Sequence, residues 1–158
     1  MNQLSIQQIF SATGVIYGRS SAGTGQGEEL TPAAARTLLG VSSGSITFVL
    51  DGGGAVIAAG QTLDLPDFPY AANITGWTIT GDVSGSAVVT ISKATYANYP
   101  TFTAISGTEK PTLSSAQKNQ DLAISTWTTA LAQGDVLRAS VDSASTVKRL
   151  TVTIRYTR

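Results

Sequence analysis

Histidine and cysteine are both absent from the 158 residues of the chain. Without imidazole or thiol there is no zinc finger, iron–sulfur cluster, disulfide scaffold, catalytic cysteine or triad with a histidine base. A chain without thiols also carries no mark of its redox compartment. The carboxylates that remain are few. Asp64 and Asp67 stand three apart across Pro66, and Asp51 opens the run Asp51-Gly52-Gly53-Gly54. Neither follows the Asp-x-Asp-x-Asp-Gly spacing of a calcium loop, so turn formation through the side-chain oxygens is the favoured role. Two carboxylates can converge in space for glycoside hydrolysis, but a small domain with no clear acidic pair is a poor scaffold for it. The run Gly23-Thr24-Gly25-Gln26-Gly27 lacks both the preceding strand of a βαβ unit and a following Lys-Ser or Lys-Thr, which removes phosphate binding. No catalytic residue, metal ligand or cofactor is expected.

Aromatic and cationic side chains are left as the groups able to meet a ligand or a partner. Trp77 shares a strand face with Ile79 and reads as core. Trp127 is expected to end its strand opposite a Leu122/Ile124 face and to form an exposed stacking platform. Tyr96 and Tyr99 fall in a long loop, where a ring with a hydroxyl suits a sugar or an interface. Arg149 and Arg155 alternate with Leu150, Val152, Ile154 and Tyr156 on the last strand, so they project away from the core with Thr151 and Thr153. In an oligomer they would pair with Asp82, Asp121 or Asp135 of a neighbour. Tyr96, Tyr99, Trp127, Arg149 and Arg155 are thus the candidate ligand or interface contacts.

The elements that must position these groups are strands. Charged residues make up 13 % of the chain, about half the usual share, while Ser and Thr are abundant. Threonine, branched at Cβ, fits a pleated sheet. Alternation marks Ile46–Leu50, Trp77–Ile79, Ala87–Ile91, Leu122–Ile124, Leu137–Val141 and Leu150–Tyr156, with turns expected at Asp51–Gly54, Gly81-Asp82, Ser84-Gly85 and Gln133-Gly134-Asp135. The stretch Lys93–Gln120 reads as a long loop with a short strand near Phe102–Ile105. The fold class is therefore all-β, a jelly-roll-like sandwich of about eight antiparallel strands. A domain of this length buries roughly two thirds of its unfolded surface, enough for its own core.

Residues 1–44 have a different texture and precede the sandwich of residues 45–158. Thr31 is an N-cap, Pro32 the first helical residue and Gly40 a left-handed C-cap, with Glu28 and Glu29 upstream near the positive end of the helix dipole. Two turns of helix do not persist alone in water, so Leu30, Leu38, Leu39 and Val41 must dock on something. They form the candidate anchor. Equal numbers of acidic and basic residues, ten each, argue against a nucleic-acid partner. Nor does any apolar run reach membrane-spanning length.

Two segments carry a resemblance. Tyr17-Gly18-Arg19-Ser20-Ser21-Ala22-Gly23-Thr24-Gly25, with Glu28-Glu29-Leu30-Thr31 and Ala35-Arg36-Thr37-Leu38-Leu39-Gly40-Val41, resembles a segment of tail-fibre and related virion proteins of tailed bacteriophages. It departs from them at Gln26-Gly27, where those sequences often place a proline. Ile46–Gly54, Lys93-Ala94-Thr95-Tyr96-Ala97-Asn98-Tyr99-Pro100, Lys110–Ser115 and the closing strands look like a small β-domain of phage structural proteins. The resemblance implies a non-enzymatic virion component. It would be commonly a homotrimer, either a tail or head fibre or a capsid decoration. The N-terminal segment would attach it to capsid, portal or tail proteins; a host-surface glycan is the alternative partner, met by the head. No catalytic or ligand residues come with the resemblance.

Overall fold

A computed structural model describes residues 13–21 and 25–158. The chain divides into two compact units, residues 1–42 and 43–158. Gly23 and Thr24 of the glycine-rich run lie outside the described residues.

In the first unit, β1 (Ile16–Gly18) pairs antiparallel with β2 (Glu28–Leu30). Helix α1 (Pro32–Leu38) follows, capped as its sequence requires. Thr31 Oγ1 accepts from the Ala34 amide at 3.2 Å, and Pro32 occupies the first turn, where no amide donor is missed. Gly40 takes φ +68°, and the amides of Gly40 and Val41 bond back to the carbonyls of Thr37 and Arg36, a complete Schellman closure. Two expectations change here. Glu28 does not serve the helix dipole: it lies in β2, and its Oε1 accepts from the Ser20 amide at 2.6 Å and the Ser20 hydroxyl at 2.8 Å. Leu30 is not free to dock, being 4 % exposed with its Cδ1 packed over Gly18. Leu38, Leu39 and Val41 do remain exposed.

The second unit is one eight-stranded antiparallel sheet built around a single very long strand. Its strands are β3 (Ser43–Asp51), β4 (Thr62–Leu65), β5 (Ala72–Thr95), β6 (Thr103–Ala104), β7 (Thr112–Asp121), β8 (Ala130–Leu131), β9 (Asp135–Ser145) and β10 (Arg149–Thr157). The first half of β5 pairs with β10, and the second half pairs with β9. On its other side β5 meets β6, β7 and β8 in turn. Beyond β10 lies β3, and beyond β9 lies β4.

This sheet is folded over on itself. Twenty-four residues of straight strand would span about 76 Å. Ala72 is paired with Leu131, however, and Thr95 with Asp135, and only three residues separate those partners. The two ends of β5 therefore meet within about 25 Å, and its middle is a crease. Register slips between Thr80 and Gly85 and again before Ala87. Ser115 and Thr146, in the neighbouring segments, take positive φ of 48° and 68°. Gly85 is packed so closely that a Cβ would sit 2.5 Å from the Ser145 carbonyl oxygen. The two leaves share one apolar core. Phe48, Leu50, Ile79, Leu150 and Ile154 come from one leaf, and Val89, Ile91, Leu113, Leu137 and Val141 from the other.

The fold is thus all-β and sandwich-like, as the alternation requires, and three local expectations are corrected. Gly81-Asp82 and Ser84-Gly85 are not chain reversals but the crease inside β5. Leu122–Ile124 forms no strand, and Leu122 is exposed. Within Lys93–Gln120 the chain forms a single 3-10 turn (Tyr96–Asn98), β6 and most of β7. The sequence of β7 hides it: Leu113 is its one large apolar residue, and most of its other side chains face water.

Candidate ligand and interface surfaces

The most prominent exposed aromatic group is Tyr96, 84 % accessible on its 3-10 turn. Thr95 caps that turn, its Oγ1 accepting from the Asn98 amide at 3.3 Å. Tyr99 stands close by in the chain but is tied inward. Its hydroxyl donates to Asp64 Oδ2 at 3.2 Å, and its ring meets Phe102 edge-on with centroids 5.7 Å apart. Arg138 completes the group. Its guanidinium lies 3.9 Å from the Phe102 centroid and forks onto Asp64 with contacts of 2.6 and 2.7 Å. The Arg138 hydrogen bonds hold the Asp64 carboxyl below its ordinary range. Asp64, Arg138 and Phe102 thus support the loop that presents Tyr96; none of the three stood among the sequence candidates. The pairing of β4 with β9 brings Asp64 opposite Arg138, a register the sequence does not display.

Trp127 does not belong to this surface. It is 7 % exposed and part of the core, so the stacking platform expected of it is withdrawn. The physical reason is Glu109. The Glu109 carbonyl accepts from both indole N–H groups, Trp77 at 2.9 Å and Trp127 at 3.0 Å, so each ring can be buried with its polar atom satisfied. The Glu109 carboxylate accepts from the amides of Ser125 and Thr126 and from both hydroxyls at 2.7–2.9 Å, fixing the loop that carries Trp127. The Thr126 amide, then the Ser125 hydroxyl and amide, lower the Glu109 pKa to about 2.

Arg149 and Arg155 are exposed on the outer face of β10, opposite the buried Leu150, Val152 and Ile154. Register sets threonines in rows across three strands. Thr47, Thr153 and Thr78 form one row, with 3.1 Å between the first two hydroxyl oxygens; Val49, Thr151 and Thr80 form the next. At the Arg155 end a depression of about 450 Å³ is bounded by Ser43, Gly44 and Ser45 of β3, Thr75 of β5, and Thr153, Arg155 and Tyr156 of β10. A β-bulge explains Thr75. Arg155 pairs with Gly76 and Tyr156 with Ile74, leaving Thr75 as the extra residue.

The aspartates expected to meet these arginines across an interface are engaged within their own chain. Asp135 is 3 % exposed, bonded to Lys93 at 3.0 Å and to the Ala132 amide at 2.9 Å, and is withdrawn as an interface partner. Asp82 Oδ1 accepts from the amides of Lys148 and Arg149, and Asp121 Oδ1 from the Ala123 amide. Asp51 Oδ1 closes its glycine turn on the Gly53 amide at 2.7 Å. Among the described residues no three His, Cys, Asp or Glu side chains cluster as a metal site.

The Tyr96 turn and the Arg155 depression both lie toward the end of the sandwich where the two ends of β5 meet, since each neighbours a terminus of that strand. No protein-family model, curated protein sequence or solved structure matches the chain.

Proposed function

We propose that this chain is a non-enzymatic structural protein of a tailed-bacteriophage virion. It would be a short homotrimeric fibre or capsid decoration that displays the β-sandwich head on the particle. The observation that carries this reading is the two-unit organisation. The small first unit leaves Leu38, Leu39 and Val41 exposed, and the large core residues of the second unit all lie within its own sequence. Exposed leucines at the C-terminal end of a seven-residue helix suit a docking element better than a self-sufficient domain. The capsid, portal or tail would supply the surface they meet. Deleting residues 1–40 should leave a folded β-protein that no longer incorporates into particles, as read by particle composition. Normal incorporation would refute the anchor role. Sedimentation equilibrium of the full chain should give three times the 16.3 kDa monomer mass.

Tyr96 favours a second reading, in which the head is also a receptor- or carbohydrate-binding tip. An almost fully accessible ring held on a capped turn is suited to stacking on a sugar face. Tyr96→Ala particles should then adsorb to host cells several-fold more slowly, with melting of the head unchanged. Unchanged adsorption returns the protein to passive display.

A further inference from the structure

We infer that the depression at the Arg155 end of β10 is a binding site for an acidic saccharide, one whose carboxylate meets the Arg155 guanidinium. The inference deepens the second reading and rests on it, since it supposes that the head meets a saccharide-bearing surface. Three observations converge on it.

The first is an unused cation. Among the described residues Arg155 is exposed and makes no ion pair, whereas Arg138, Lys93 and Lys110 each hold an aspartate of their own chain. Asp135 is buried against Lys93, and Asp82 and Asp121 each hold backbone amides, so none of these three pairs with Arg155 within the described residues. A guanidinium presents a planar fork of donors that matches a carboxylate in two parallel hydrogen bonds.

The second is what surrounds that cation. Ser43, Ser45, Thr75 and Thr153 line the same depression, and no acidic residue does. Each hydroxyl both donates and accepts, which is the chemistry that sugar hydroxyls require. One positive charge among four hydroxyls fits a singly charged polyol better than a polyanion. The volume of about 450 Å³ lies within the range of small-ligand sites and would take one or two sugar rings.

The third is the backbone. A bulge costs ladder hydrogen bonding, and here it adds one residue to β5 directly beside Arg155, turning Thr75 toward the same hollow. Gly44 lies opposite Tyr156 in the ladder, and a Cβ there would lie 2.6 Å from the Tyr156 hydroxyl, so the glycine lets that ring pack across β3. Tyr156 is held in place by edge-on contact with Phe68 at 5.2 Å, so this wall is rigid.

The test is titration of the full chain with glucuronate, glucose and inorganic phosphate, followed by amide chemical shifts and calorimetry. Glucuronate should bind in the millimolar range, as about one charge-assisted fork and a few hydroxyl contacts allow, and should shift the amides of Gly44, Thr75 and Thr153. Glucose should bind at least about tenfold more weakly. Arg155→Met should abolish the glucuronate shifts, Arg155→Lys should keep a fraction of the affinity, and Arg149→Met should leave it unchanged. Phosphate binding as tightly as glucuronate would overturn saccharide recognition in favour of a plain anion site. An Arg155→Met chain that melts several degrees lower and loses its oligomeric state would overturn it in favour of an interface. Adsorption of Tyr96→Ala particles reports on the second reading, and free glucuronate on this hollow alone, so the two can fail separately.

Discussion

Glu109 is the residue on which the loop chemistry of the head converges. It receives two indole N–H groups on its carbonyl and a set of Ser and Thr donors on its carboxylate. Its folded pKa of about 2 lies below the ordinary 4.5, so the folded state takes up that proton less readily than the unfolded chain. The associated stability is therefore complete above about pH 4.5 and is lost as pH falls toward 2. Melting temperature should drop across that window in the native protein. In Glu109→Gln the drop should be shallower and the melting temperature at pH 7 lower; an identical pH profile would remove Glu109 as its source. The same residue explains why Trp127 was not legible. Nothing near it in sequence announces a carbonyl 18 residues away that lets its indole be buried. Trp77 was legible because its apolar neighbour Ile79 lies two residues on, within one strand.

At the scale of elements, what could be read follows the hydrophobic period. β3, β9 and β10 have apolar residues at every second position, and the helix has a cap at each end, so both kinds of element are visible in isolation. The crease is not. Gly81 and Gly85 inside an alternating run signal a turn or a close approach of another backbone, and only the pairing decides which. Here it is a close approach, with Ser145 and Val147 pressing on Gly85. Gly85→Ala must displace backbone to fit a methyl and should destabilise the head by about 2–4 kcal/mol in denaturant titration. Gly134 offers the contrast. It takes φ +84° in its turn with open space around the missing Cβ, so Gly134→Asn, whose side chain tolerates that conformation, should cost about 1 kcal/mol or less. Equal losses at the two sites would contradict the crease as a packed junction.

Across the whole head, the end opposite the crease has to be closed, and Lys93 with Asp135 closes it. Lys93 sits near one end of β5. Its ammonium donates at 2.8 Å to the carbonyl of Ala130, which pairs with Asn73 at the other end. Asp135 receives that ammonium and the Ala132 amide together. Removing the buried partner, as in Asp135→Ala, leaves the Lys93 ammonium without its counter-charge and the Ala132 amide unsatisfied, and should cost about 3 kcal/mol. Asp142→Ala, which breaks the exposed pair with Lys110, should cost about 0–1 kcal/mol. Chemical denaturation of the two variants separates these values, and equal costs would mean that the open end is not held by this pair. The sequence showed both charges but not their meeting, because that depends on β5 doubling back.

The β3–β10 ladder has a mechanical consequence. Its first rung joins Ser43 to Thr157, and its third joins Ser45 to Arg155. If the first unit is tethered and a ligand is held at Arg155, as proposed above, tension arriving through residue 42 travels through three rungs of one antiparallel pair. It bypasses the crease, the core and the Lys93–Asp135 closure. The force the head withstands is then set by how fast β3 peels from β10, a rate and not an equilibrium. A substitution at the crease can lower the melting temperature and leave that grip unchanged, whereas one at the edge of β3 can weaken the grip in a protein that melts normally.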